Sequence, residues 1–164
     1  MHRQRIFVLL GLIILALAGC RGANLPSGTP TPTPVGWGLP DEAAIRAVLN
    51  AEARGVQTQD IELLMSLWAE EGEVRDARHT PDDPTDDIVW SGKTAIYQRY
   101  VHLVFPGNPG LVEHPDVAVH IEGGRAVVTS TTRIGQEVAP GGDRWELRKE
   151  HGTWKLLKLV YNNE

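Results

Sequence analysis

Glu52 breaks an apolar helical stripe, and a carboxylate in such a place is either a stripe-edge residue or the beginning of a site. Ile45, Val48, Leu49 and Glu52 fall at i, i+3, i+4 and i+7, the spacing that puts side chains on one helix face. Turned inward, Glu52 is a buried carboxylate, costly to desolvate unless a partner meets it. The plainer expectation is that the stripe drifts and leaves Glu52 at its edge. His114, Asp116 and His120 share strand parity and invite a metal reading. At about 3.3 Å per residue, His114 and His120 stand roughly 20 Å apart on an extended strand, too far to share an ion. His114 with Asp116 supplies two ligands, and a zinc site needs at least a third. No metal is expected. The acidic run Asp82-Asp83-Pro84-Thr85-Asp86-Asp87 lacks the alternating oxygens, central glycine and closing glutamate of a calcium loop and reads as solvated. There is no glycine-rich phosphate loop, Ser/His/Asp order, CxxC pair or serine in a nucleophile elbow, and no cofactor is implied.

The N-terminus says where such chemistry would take place. His2, Arg3 and Arg5 precede an uncharged apolar run, Ile6 to Ala18, closed by Leu17-Ala18-Gly19-Cys20. The run is too short for the roughly 20 residues that cross a bilayer core of about 30 Å. A basic start, a short apolar core and small residues before a cut describe a secretory signal over residues 1–19. Its last four residues resemble the lipobox of bacterial lipoproteins. That resemblance implies a diacylglyceryl group and palmitate on Cys20, a lipid anchor in a cell membrane or outer membrane, and a domain exposed outside the cytoplasm. Arg21 is not the aspartate that would suggest retention at an inner membrane. Cys20 is the single cysteine, so no intramolecular disulfide is available to a domain that leaves the cytoplasm.

Residues 20–40 have the composition of a linker, with Thr29-Pro30-Thr31-Pro32-Thr33-Pro34 favouring extended polyproline II. At about 3.1 Å per residue such a tether reaches at most roughly 60 Å. Loss of residues 1–19 removes Arg3 and Arg5 and leaves 14 basic against 21 acidic side chains, a net −7. That balance excludes nucleic acid and anionic lipid as natural partners.

Residues 41–164 suffice for one core and not for two. Asp41, as cap, opens a first helix. Asp60 caps a second that carries Leu63, Leu64, Leu67 and Trp68 and ends at Gly72. Glu73 to Asp76 and Ile88 to Trp90 are short strands, and Ser91-Gly92 leads into a third helix with Ala95, Ile96, Tyr100 and Val101. The remainder alternates: Val117, Val119 and Ile121 share a strand face that meets a hairpin at Glu122-Gly123-Gly124-Arg125. A looser connection is expected at Ala139-Pro140-Gly141-Gly142, a turn at Glu150-His151-Gly152, and a last strand from Trp154 to Tyr161. Helices first and an antiparallel meander afterwards define an α+β domain.

This order resembles the NTF2-like superfamily, in its SnoaL-like and ketosteroid-isomerase-like groups. The resemblance rests on Gln59-Asp60-Ile61-Glu62 through Ala69-Glu70-Glu71-Gly72-Glu73-Val74, on Val74-Arg75-Asp76, and on Trp90-x-Gly92-x-x-Ala95-Ile96 before the curved sheet. It implies a cone: about three N-terminal helices packed on a curved antiparallel sheet that encloses a pocket. It also implies that Asp76 occupies the position of a carboxylate base, with His114 or His120 as an acid/base partner of the scytalone-dehydratase kind. The tyrosine and neutral carboxylic acid that such a base works with are not evident on the first helix or around Gly142 to Trp145. Asp76 is then more simply a polar strand-end residue. Trp68, Trp90, Tyr97, Tyr100 and Trp145 fall where the cone has its interior or mouth, and either line a pocket or fill it.

The expected function is therefore a lipid-anchored envelope protein whose domain binds a small apolar ligand or an envelope protein without catalysis. The alternative is an isomerase, dehydratase or cyclase with Asp76 as proton-transfer base. The outer faces of NTF2-like sheets often pair, which implies a homodimer.

Overall fold

The computed structural model describes residues 32–163. The signal segment, Cys20 and most of the tether lie outside the described residues. Two helices, α1 (Asp41–Thr58) and α2 (Ile61–Leu67), lead into β1 (Trp68–Asp76) and β2 (Ile88–Ser91). Then come α3 (Lys93–Arg99), β3 (Val112–Glu113), β4 (Ala118–Glu122), β5 (Arg125–Ile134), β6 (Glu137–Glu150) and β7 (Thr153–Tyr161).

The folded unit takes in part of the stretch expected as tether. Two successive turns, closed by Trp37 N–H on the Pro34 carbonyl and Leu39 N–H on the Gly36 carbonyl, carry the chain into α1. Val35 packs against the core, and Gly36 lies so close to Ala44 that a Cβ there would sit 3.0 Å away. Asp41 is the first residue of α1 and not its cap. Its carboxylate accepts from Lys149 Nζ at 2.6 Å and Trp154 Nε1 at 3.0 Å, which pins the helix start to β6 and β7. Asp60 does cap α2, accepting from Leu63 N–H at 2.9 Å.

The second helix is shorter than its sequence pattern suggests. Trp68 is already in β1, extended and buried, because its indole belongs to the core with Trp145 and Trp154. Gly72 lies inside β1 and ends no helix. A Cβ there would meet Trp68 at 2.7 Å and Ile96 at 3.1 Å, so this glycine allows α3 to approach the strand.

The sheet order is β2-β1-β7-β6-β5-β3, with β4 also paired to β5. β1 and β7 run parallel, Val74 beside Leu159 and Asp76 beside Tyr161, so the sheet is mixed and not the expected antiparallel meander. The reason is topological: β2, α3 and β3 to β6 all intervene between β1 and β7, and no hairpin constrains their relative direction. The other pairings are antiparallel. The hairpins at Glu122–Arg125 and Glu150–Thr153 stand as expected, the second turning on His151 and Gly152 with φ of +48° and +82°. The β5–β6 turn falls at Gly135-Gln136, earlier than expected, and Ala139 to Gly142 belong to β6.

The concave side of this curved, unclosed sheet takes the apolar face of α1. Ile45, Val48 and Leu49 meet Leu147, Leu156 and Val128, all essentially fully buried. Side chains of opposite parity carry ion pairs, among them Arg75–Asp87 at 2.9 Å, Lys158–Glu73 at 3.0 Å and Arg148–Glu71 at 2.6 Å. The solvent-reached pairs of this face add little, about 0–1 kcal/mol each, whereas the Asp87 side chain that meets Arg75 is only 6% exposed.

Gly72→Ala forces a methyl onto the rigid Trp68 ring. We expect a loss of about 1–3 kcal/mol, read as a lower urea midpoint at unchanged slope. An unchanged midpoint would show that Trp68 and Ile96 yield at no cost.

Candidate functional site

Between α1, α3 and the inner face of β5, β6 and β7 lies a partly open cavity of about 360 Å³. Much of its wall is apolar: Val56, Val104, Val112, Ile134 and Leu159. Polar groups reach it from six segments: α1, the end of α3, the stretch after β3, β5, β6 and the end of β7.

Glu52 is buried at 5% exposure, so the stripe of α1 does not drift and Glu52 is an interior residue, contrary to the plainer expectation. Val56, one turn further on, lines the same cavity and keeps the face pointed inward. The Glu52 carboxylate is met by Tyr100, whose hydroxyl donates to Oε1 at 2.9 Å. Trp68 Nε1–H donates in turn to the Tyr100 oxygen at 3.3 Å. Tyr100 opens a π-helical turn, Tyr100–Val104, that continues α3 and is closed by Phe105 N–H on the Tyr100 carbonyl. The widened turn brings both Tyr100 and Val104 to the cavity wall.

On the other side of Glu52 stands His114, its Nε2 at 3.8 Å from Oε2 and its side chain 4% exposed. The imidazole meets Trp145 edge-on, with centroids 4.7 Å apart. Its Nδ1 is 3.3 Å from Thr132 Oγ1, and the Thr132 hydroxyl donates to Asp143 Oδ2. A hydroxyl has one proton, so with that proton on Asp143 the Thr132 oxygen accepts from His114 Nδ1–H. Nε2 is thereby directed at Glu52. The result is two hydrogen-bonded runs, Trp68–Tyr100–Glu52 and His114–Thr132–Asp143, that face each other across the 3.8 Å between Glu52 Oε2 and His114 Nε2, the latter without a hydrogen-bond partner among the described residues.

Burial holds the Tyr100 phenol well above its ordinary ionisation range, the Glu52 charge adds to this, and Arg99 opposes it. Tyr100 is a standing neutral donor. At the other flank of Tyr100, the Arg99 guanidinium lies over three rings: Tyr161 at 4.8 Å, Trp90 at 5.2 Å and Tyr100 at 5.7 Å. Partial burial raises Tyr161 as well, with Arg99 opposing and Asp76 adding to the shift.

The sequence-derived candidates divide sharply. Glu52, Tyr100, Trp145 and His114 line the cavity. Asp76 does not: it ends β1 at the sheet margin, accepting from Asn162 Nδ2 at 2.8 Å and from Arg78 N–H at 3.0 Å. His120 is exposed on β4, and a turn at Pro115-Asp116 separates that strand from His114, so His114, Asp116 and His120 do not share the one extended strand expected for them. Trp68 is core, reaching the site only through Tyr100; Trp90 stacks on Arg99; Tyr97 is 39% exposed, on the outer side of α3. None of these three lines the cavity. Among the described residues no group of three His, Cys, Asp or Glu side chains could hold a metal ion.

Asp143 and Thr132 are the residues that sequence reasoning missed. The region from Gly142 to Trp145 does hold an inward carboxylic acid: Asp143 is buried and shares strand parity with Trp145 and Leu147. The signal was parity, obscured by reading Ala139 to Gly142 as a loop. Thr132 likewise continues the buried row Ala126, Val128, Ser130.

No family model matches the chain, and no curated protein matches it. Solved structures do. An NTF2-like protein of unknown function from Pseudomonas putida KT2440 superposes with a TM-score of 0.58 at 18% identity, covering 73% of this chain and 84% of that one. A protein of unknown function with a cystatin-like fold from Nostoc punctiforme gives 0.57 at 14% identity, covering 74% and 89%. A candidate dehydratase of the NTF2-like family from Streptomyces avermitilis gives 0.50 at 23% identity, covering 71% and 90%. The domain has the NTF2-like cone fold.

Tyr100→Phe leaves the Trp68 N–H and one Glu52 oxygen buried without their partner. We expect about 1–3 kcal/mol of destabilisation, measured by urea unfolding. A phenol raised in the folded state favours folding below its unfolded pKa, and that contribution is lost as pH climbs through and beyond the ordinary tyrosine range. The wild-type domain should lose stability above about pH 10, and part of that alkaline loss should vanish in Tyr100→Phe. Identical alkaline profiles would contradict the burial of this phenol.

Proposed function

We propose that the domain is a small-molecule binder carried on a lipid anchor at the outside of a bacterial membrane. The observation that carries the binding half is the partly open cavity of about 360 Å³, apolar for much of its wall, with the Glu52–His114 pair as its polar end. Pockets of this size and make-up suit a compact ligand that buries an apolar body and directs one polar group at a fixed partner. The ligand's polar group faces His114 Nε2 and Glu52, both acceptors in this arrangement, so a donor such as a hydroxyl fits best. The anchoring half rests on Leu17-Ala18-Gly19-Cys20 after an apolar core.

A proton-transfer enzyme is the second reading, and the Glu52–His114 pair favours it. Such a reaction would run through these two groups: Asp76 lies off the cavity wall with its carboxylate engaged by Asn162 and Arg78. The fold shared with a candidate dehydratase is compatible with this reading and does not select it. A homodimer through the sheet's outer face would have to cover the ion pairs of Arg75, Arg148 and Lys158.

The neutral probe N-phenyl-1-naphthylamine should brighten on binding the wild-type protein. Val56→Phe, which grows into the cavity from α1, should weaken that binding by about tenfold or more, about 1.4 kcal/mol, with circular dichroism unchanged. Equal binding by the two proteins would place the probe elsewhere and remove this reading. For the anchor, Cys20→Ala should move the protein out of the membrane fraction of the producing bacterium, and mass spectrometry of the wild type should find a diacylglyceryl mass on Cys20. An unmodified Cys20 would contradict it.

A further inference from the structure

Arg99 is the feature of the cavity that a purely apolar ligand leaves unused. It stands on the cavity wall, on the last residue of α3, and arginine stays charged at any pH a protein tolerates. Arg46, Arg75, Arg133, Arg144 and Arg148 each pair with a carboxylate. Arg99 makes no such pair among the described residues. It is held instead by the faces of Tyr161, Trp90 and Tyr100, at 4.8, 5.2 and 5.7 Å. Stacking of this kind fixes a guanidinium while consuming none of its N–H groups, which lie in the plane and remain for an acceptor. The Tyr161 oxygen takes part of that capacity. Asn162 adds a second polar side chain to the same part of the wall.

The acids near the cavity set the orientation. Glu52 and Asp143 line it, both buried, and each accepts a hydroxyl proton, from Tyr100 and Thr132 respectively. Glu52 makes no ion pair with Arg99 among the described residues. Glu52 and Arg99 meet opposite features of Tyr100, the hydroxyl and the ring face. Asp76 tempers the field of Arg99 through Tyr161 but is off the wall. An anionic group is therefore repelled from the Glu52 end and attracted at the Arg99 end.

We infer that Arg99 is the anion-recognising end of the cavity and that the ligand is a small organic acid: an apolar body with its carboxylate or equivalent anionic group on the Arg99 guanidinium and any hydroxyl turned toward Glu52 and His114. This deepens the binding reading above and rests on it.

The test uses two probes that share an apolar body and differ by one anionic group: 1-anilinonaphthalene-8-sulfonate and N-phenyl-1-naphthylamine. The wild-type chain should bind the sulfonate about tenfold more tightly than the neutral probe, and added salt should erode that preference. Arg99→Gln should abolish the preference by weakening the sulfonate far more than the neutral probe, while Arg99→Lys, which keeps the charge, should retain part of it. Equal affinity of the wild type for both probes overturns the role of Arg99 and leaves the cavity as a binding site. Loss of both probes in Arg99→Gln together with Arg99→Lys overturns it too, by showing that the residue only holds the wall. Failure of the wild type to bind either probe overturns the binding reading itself.

Discussion

A carboxylate survives inside a small domain only if a neighbouring group meets it with a proton, and Glu52 is met by the Tyr100 hydroxyl. Tyr100 donates to one oxygen and His114 faces the other. Each partner comes from a different part of the chain, so the requirement propagates outward. The π-helical turn after α3 must present Tyr100, the segment after β3 must present His114, and β5 and β6 must bring Thr132 and Asp143 behind it. The cone is the arrangement in which these segments converge. Hydrogen-bonded runs of this kind are costly to break, since a removed partner strands a buried group at about 1–3 kcal/mol.

The helix positions and two of the three hairpins, β4–β5 and β6–β7, were legible because their signals are local. Asp60 caps α2 through a bond three residues away, and Glu122-Gly123-Gly124-Arg125 closes β4 onto β5 at adjacent positions. What was not legible depends on distant parts of the chain. The parallel pairing of β1 with β7 joins residues more than eighty positions apart and leaves no turn to announce it. Trp68 continues the helical stripe of α2 yet is pulled into β1 by core residues that the local pattern cannot see.

The site shows the same division. Glu52 was visible as an anomaly, but whether it faced inward depended on a tyrosine 48 positions later. That tyrosine comes from the π-helical turn after α3, and the ketosteroid-isomerase resemblance directs attention to the first helix. Asp143 was hidden by Gly141 and Gly142, glycines that suggest a loop and in fact lie inside a strand. Asp76, the position the resemblance emphasises, ends as a margin residue. The fold is shared with solved NTF2-like structures at 14–23% identity, and at that distance the site is read from its own geometry.

The central claim is that Glu52 and Tyr100 act as a coupled pair inside the domain. A double-mutant cycle measures this directly, from the unfolding free energies of wild type, Glu52→Gln, Tyr100→Phe and the combined variant. Contact across a buried charge-assisted hydrogen bond predicts a coupling of about 1–3 kcal/mol. Additivity within about 0.3–0.5 kcal/mol, the behaviour of residues that do not touch, would contradict the account.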